Sequence, residues 1–163
     1  MKTKVLDNTK ILKICNRFAF QIIENCNNDD KVNVIGIKEK GFEIANLVVD
    51  NLNKISKKKI VLNHISLNKK NFEKKVQSDL EESNLSSNVF LVDDVLNTGK
   101  TMMYCLNHLL KFNVKSVKTL VLIDRNHKMF PVKVDFKGIS LSTNIDENVK
   151  LINENKSLEA FLL

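Results

Sequence analysis

Asp93 and Asp94 end an apolar run in the stretch VFLVDDVLNTGKT, residues 89–101. A carboxylate at the end of a buried strand is costly unless it meets a polar partner. Just beyond the pair, Asn97, Thr98, Gly99, Lys100 and Thr101 precede a helical pattern. A helix start presents free N–H groups and the positive end of the helix dipole, so an anion suits it. Glycine lets the backbone approach closely, and the threonines add hydroxyl donors. Taken alone, TGKT is either a phosphate loop or a plain helix cap. It is not the nucleoside-triphosphate loop GxxxxGK[ST], whose first glycine would fall on Asp94. Two carboxylates beside a phosphate make sense if they accept hydrogen bonds from sugar hydroxyls or lie near Mg2+. A phosphate next to a cis-diol describes a ribose 5-phosphate.

A second strand end, IGIKEKG at residues 35–41, carries related chemistry. Lys38 and Lys40 can counter an anion, and Gly41 opens the next helical pattern. Alone, this is either an anion loop or an ordinary strand-to-helix turn with surface lysines.

The elements that must position these residues follow from periodicity. Asp7-Asn8-Thr9 offers N-cap candidates, and Ile11, Ile14, Cys15, Phe18 and Ile22 recur at helical spacing up to residues 25–28. VNVIGI (32–37) reads as a buried strand, 41–55 as a helix and 58–67 as a strand. Residues 68–88 form a polar excursion, 89–95 a strand, 100–112 a helix and 117–124 a strand. Strands alternating with helices predict an α/β fold: an open, mostly parallel twisted sheet with helices on both faces. The single domain spans 1–163. Its tail, 125–163, holds pieces too short to extend that sheet and is expected to form a small C-terminal hood. Ligands of open parallel sheets bind beyond the carboxyl ends of the strands, where both stretches lie.

Composition narrows the class. The chain has 163 residues, 43% of them hydrophobic, which suits one soluble domain. No apolar run reaches the roughly 18 residues that span a bilayer, and the first ten residues carry no apolar signal core. A cytoplasmic protein is expected. Cys15, Cys26 and Cys105 form no CxxC pair and read as small hydrophobes. The net charge of +7 is almost all lysine, with Arg17 and Arg125 the two arginines. That balance permits nucleic acid or anionic small molecules, and it equally fits a solvated lysine-rich surface.

VFLVDDVLNTGKT resembles the phosphoribosyl-pyrophosphate (PRPP) signature of type I phosphoribosyltransferases: an apolar strand, two acids, two apolar residues, one variable residue and T-G-x-T. The resemblance implies that Asp93 and Asp94, counted as catalytic, bind the ribose hydroxyls. Asn97, Thr98, Gly99, Lys100 and Thr101 would cradle the 5-phosphate. Lys38, Glu39, Lys40 and Gly41 resemble the pyrophosphate loop, often held by a non-proline cis peptide that would here be Glu39–Lys40. VDFKG resembles the hood segment, so Phe136 would stack on the nucleobase and Lys137 read its edge; Phe136 in a minor core is the other reading. Mg2+ would enter with PRPP, near Asp93 and Asp94. The flexible 68–86 segment would close over the site, with Lys69 or Lys70 in place of a loop arginine.

Within the family the chain is most similar to the bacterial pyrimidine-operon attenuators, which are also uracil phosphoribosyltransferases. The similarity runs through residues 5–24, IGIKEKG, the signature and LVLIDRNHKMFPVKVDFKG (120–138). It implies PRPP and a nucleobase or nucleoside monophosphate as ligands, uracil as the favoured base, and a dimer or larger assembly. RNA is a further partner on this reading, through Arg17, His127, Lys128 and Lys133. The chain departs from the pattern at Asn97, usually aromatic, at Asn68-Lys69, usually Tyr-Arg, and at Phe20, usually histidine. The alternative branch, hypoxanthine-guanine phosphoribosyltransferase, has an aspartate at position 97 that acts as base toward the purine ring. It also has a base-reading lysine at position 124. Asn97 and Asp124 argue against it, because an amide cannot take that proton.

Overall fold

A computed structural model of the protein describes residues 2–68 and 76–163. The chain runs β1 (Thr3–Leu6), α1 (Asn8–Glu24), β2 (Lys31–Ile37), α2 (Lys40–Ile55), β3 (Lys59–Ser66) and β4 (Gln77–Ser78). It continues with β5 (Val89–Leu96), α3 (Lys100–Leu109), β6 (Val117–Asp124), β7 (Phe136–Ser140), β8 (Val149–Glu154) and β9 (Ser157–Leu162).

Local chemistry explains the main elements. The Asp7 side chain accepts from the Lys10 backbone N–H at 2.8 Å, which caps α1 as its sequence predicts. β2 is Val/Ile-rich and buried along nearly its whole length, as a central parallel strand covered on both faces must be. The main sheet has the order β4-β3-β2-β5-β6-β7, with only β4 antiparallel. Helices cover both faces. α1 and α2 contribute Phe18, Ile22, Ile44 and Leu52 to one apolar layer; α3 contributes Met102, Cys105 and Leu109 to the other. The chain leaves β2 for β3 on one side and returns to β5 on the other. The sheet order therefore reverses between β2 and β5, where a crevice opens at their carboxyl ends.

Three features differ from the sequence reading. The tail does extend the main sheet: β7, carrying Phe136, Lys137 and Gly138, pairs in parallel with β6, Leu120 opposite Phe136. Five residues suffice for an edge strand when one side alone must be paired. The second, smaller sheet has the order β1-β9-β8, so the N-terminal strand joins the tail in it. Finally, the excursion is tied down from residue 76 onward. Val76, Leu80 and Leu85 pack on the α3 layer, and β4 pairs with Ile65 and Ser66 of β3. Apolar side chains spaced through a polar stretch give it this anchorage. Lys69 and Lys70, the expected loop cations, lie outside the described residues.

Cys15 and Cys105 are buried and none of the three cysteines is in a disulfide, in keeping with a role as packing residues. Burial pushes the Cys15 thiol up to about 12. Among the described residues no helix is long and apolar enough to cross a membrane.

Candidate active site

β5 ends inside the crevice. Asp93 is 6% exposed and Asp94 is half-buried, and the Asp94 backbone N–H donates to Asp93 Oδ1 at 2.9 Å. The turn after β2 stands beside them. Lys38, Glu39, Lys40, Leu67, Asp93 and Asp94 line one cavity of about 330 Å³. Gly41 makes this approach possible, because a Cβ there would lie 2.8 Å from both Asp93 Cα and the Val92 carbonyl oxygen.

The turn itself corrects one expectation. The cis peptide is Lys38–Glu39, not Glu39–Lys40. Lys40 is already the first residue of α2, and the Glu39 carbonyl accepts from the Glu43 N–H, so the chain must bend one residue earlier. The two lysines are also unequal. Lys40 is paired with Glu43 at 2.8 Å, whereas the Lys38 ammonium lies 5.7 Å from the centre of the Phe42 ring and lines the cavity.

A second cavity of about 260 Å³ is lined by Asp93 and by Val95 through Met102. Gly99 caps α3 at φ 87°, a left-handed conformation, and thereby turns the first-turn N–H groups of α3 toward the loop. Thr98 holds the loop from both sides. Its Oγ1 accepts from the Lys100 N–H at 3.3 Å, and its carbonyl accepts from the Met129 and Phe130 N–H groups at 2.9 and 3.1 Å. The arrangement is a cradle built by a loop at the N-terminus of α3.

A third and larger cavity, about 570 Å³, shares Asn97 and Thr98 with the cradle and extends over Arg125, Asn126, His127, Lys128, Ile145 and Asn148. Arg125 is 3% exposed. Its Nε and Nη2 donate to Thr143 Oγ1, its Nη2 also donates to the Asn144 and Glu147 carbonyls, and its Nη1 donates to Asn97 Oδ1 at 2.8 Å. Arg125, Thr143, Ile145 and Asn148 were missed as site residues by sequence reasoning. One signal was present: Arg125 is one of two arginines in a lysine-rich chain and follows a strand's carboxyl end.

Of the sequence-predicted site, Lys38, Glu39, Lys40, Asp93, Asp94 and the 97–101 loop come together around contiguous cavities. Phe136 and Lys137 are not part of these linings. Phe136 sits on β7 against the main core, and Lys137 pairs with the buried Asp124 at 3.4 Å. The four basic residues named for RNA are held in different ways. The Arg17 guanidinium donates to the Lys137 and Gly138 carbonyls, the His127 ring meets the Thr143 carbonyl, and Lys128 and Lys133 are exposed.

The family model of the phosphoribosyl transferase domain matches residues 1–153. The chain belongs to the phosphoribosyltransferase family. Its relatives include a bifunctional protein PyrR of Clostridium acetobutylicum, 29% identical and covering 100% of this chain and 99% of that one. Another is a bifunctional protein PyrR of Leuconostoc mesenteroides, 31% identical over 91% of this chain and 89% of the relative. A hypoxanthine-guanine phosphoribosyltransferase from Bacillus anthracis shares the fold at TM-score 0.73 and 17% identity, covering 86% and 83% of the two chains. So does a Trypanosoma cruzi hypoxanthine phosphoribosyltransferase in complex with the product IMP, at TM-score 0.72 and 18% identity over 90% and 82%. This transferase thus has the α/β fold that its motifs imply.

Proposed function

We propose that this phosphoribosyltransferase converts uracil and PRPP to the nucleoside 5-monophosphate and pyrophosphate. The observation that carries the reading is the order of the cavities. The Lys38–Lys40 turn adjoins the acidic pair, the pair adjoins the Thr98–Thr101 cradle, and Asn97 links the cradle to the open cavity beyond it. That sequence fits pyrophosphate, ribose diol, 5-phosphate and base.

On this reading the cradle and the Asp93–Asp94 clamp fix the ribose ring. Fixing both ends leaves C1 exposed to the base, and that orientation supplies much of the rate. As the bond from C1 to pyrophosphate breaks, the base nitrogen bonds to C1 and its proton passes to solvent. Lys38 faces the charge that develops on the leaving group. Leu67 lines the same cavity as an apolar wall against water, whose attack is the competing reaction.

Among the described residues no cluster of three His, Cys, Asp or Glu could hold a metal by itself. Two carboxylates in one cavity do fit a cation that takes its other ligands from substrate oxygens and water, as Mg2+ does. Asp93 and Asp94 would lie nearest it, and it would neutralise charge on the pyrophosphate.

Uracil is favoured by the PyrR relatives, by Asn97, which cannot accept a purine proton, and by Asp124 where the purine branch has a lysine. A base-by-base screen with PRPP and Mg2+ tests this. Transfer to uracil, lost on chelation with EDTA, is expected; transfer to hypoxanthine or guanine but not uracil overturns the assignment. A regulatory reading stands second, favoured by the relatives named pyrimidine operon regulatory protein. RNA binding that strengthens as salt is lowered and responds to UMP would support it.

A further inference from the structure

We propose that Asn97 selects the base. Arg125 fixes its carboxamide so that Nδ2 is offered to the cavity as a donor, and the matching acceptor on uracil is the 2-carbonyl oxygen beside the reacting nitrogen. The proposal rests on the uracil reading above.

The argument begins with Arg125. A guanidinium carries donors and no acceptor, so the amide atom that faces it at 2.8 Å must be the oxygen. A flipped amide would set NH2 against N–H and cost the buried guanidinium a bond. The guanidinium itself cannot turn to accommodate a flip. Thr143 Oγ1 receives it at 3.1 Å from Nε and 3.0 Å from Nη2, and the Asn144 and Glu147 carbonyls receive Nη2 as well. No ion pair among the described residues involves Arg125, so its charge polarises Asn97 Oδ1 and makes Nδ2 a stronger donor.

Asn97 lines both the phosphate cradle and the large cavity, and no hydrogen bond among the described residues uses its Nδ2. That donor is therefore held at the junction of the two cavities, and on the uracil reading the base enters the larger one beside it. An aspartate there would pair with Arg125 and offer only acceptors. A base that must shed a ring proton at that point would meet a donor with a donor. A base with a carbonyl beside its reacting nitrogen meets it with an acceptor. Asn97 on this reading is a specificity device and not a lost acid.

The test uses the full chain with Mg2+ and PRPP, and compares uracil with 2-thiouracil, whose sulfur is a poorer acceptor. Wild type should prefer uracil about tenfold in kcat/KM, the size of one net hydrogen bond. Asn97→Ala should erase that preference and raise the uracil KM about tenfold, more than the PRPP KM. An equal rise in both constants, or a rise for PRPP alone, returns Asn97 to the phosphate cradle and overturns the proposal. So does a preference that survives in Asn97→Ala. Arg125→Lys keeps the charge but not the fork and should also erase the preference; wild-type discrimination in that variant overturns the positioning of Asn97 by Arg125. A wild type that ignores uracil but uses another base sinks the uracil reading before Asn97 is touched. Asn97 is then judged on the KM of the base that is used, where no rise in Asn97→Ala overturns it.

Discussion

Gly41 and Asp93 leave no room between them for a methyl group. A Cβ on Gly41 would stand 2.8 Å from Asp93 Cα and 2.9 Å from its Oδ1. The start of α2 thus rests directly on the end of β5, and the two strand ends of the site are set by one contact. Gly41→Ala must push α2 away, because the atoms it meets include backbone. Overpacking of this kind costs about 1–3 kcal/mol, which lowers the melting temperature by roughly 2–4 °C per kcal/mol in a chain of this size. Since the Lys38–Lys40 turn moves with α2, PRPP affinity should fall about tenfold or more by isothermal titration. An alanine variant with wild-type affinity would show that the turn does not depend on this contact.

Much of this site was legible in the sequence, and what was not has a physical cause. Asp93 and Asp94 lie in the second half of the eight-residue strand β5, after its apolar first half, and the 97–101 loop follows it directly, so both their place and their chemistry are local properties. The same holds for α1, whose cap and apolar stripe are written within one helix. β1 is different. Its four residues become a strand only by pairing with β9, Thr3 opposite Leu162, at the far end of the chain. In the tail VKVDF (132–136) reads as a strand-like piece, but the strand that forms is β7, Phe136–Ser140, because Gly138 and Phe136 gain their partners from β6 and α1. Arg125 belongs to the same class. Its meaning comes from Asn97 on one side and residues 143–147 on the other, and neither spacing is periodic.

The acidic pair offers a direct test of the ribose clamp. Asp93→Asn and Asp94→Asn keep the shape and remove the charge. Hydrogen bonds to charged groups contribute roughly 1.5–3 kcal/mol each, so PRPP affinity in the double variant should drop by at least tenfold. Isothermal titration with Mg2+ present measures it. Unchanged affinity would sink the clamp.

Gly99 differs from Gly41 in kind. A Cβ on Gly99 would meet nothing nearer than 3.5 Å, so space is not the obstacle. Its φ of 87° is, at roughly 1–2 kcal/mol for a residue with a Cβ. Gly99→Ala should therefore relax the cradle and weaken competition by ribose 5-phosphate, while Gly99→Asn, which tolerates the left-handed region, should do so less. Equal effects from the two substitutions would point to side-chain bulk and away from backbone conformation.

His108 ties the anchored part of the excursion to α3, through Nε2 to Ser78 Oγ at 2.8 Å. The ring stands edge-on to Phe112, and Nδ1 is buried with no hydrogen-bond partner among the described residues. Burial, with Lys111 adding to it, lowers the imidazole pKa from its ordinary value of 6.5. The sign follows from linkage. The unfolded chain takes up the proton first, so this contribution to stability is complete above the unfolded pKa of 6.5 and declines as the pH falls below it. Melting temperatures between about pH 7.5 and 5.5 should fall more steeply for wild type than for His108→Gln. His64, which pairs with Asp79 at 3.1 Å, is present in both proteins and so does not distinguish them. Amide protection at Gln77 and Ser78, taken relative to the intrinsic exchange rate at each pH, should fall on acidification in wild type only. Parallel melting curves for the two proteins would remove His108 as the source of acid sensitivity.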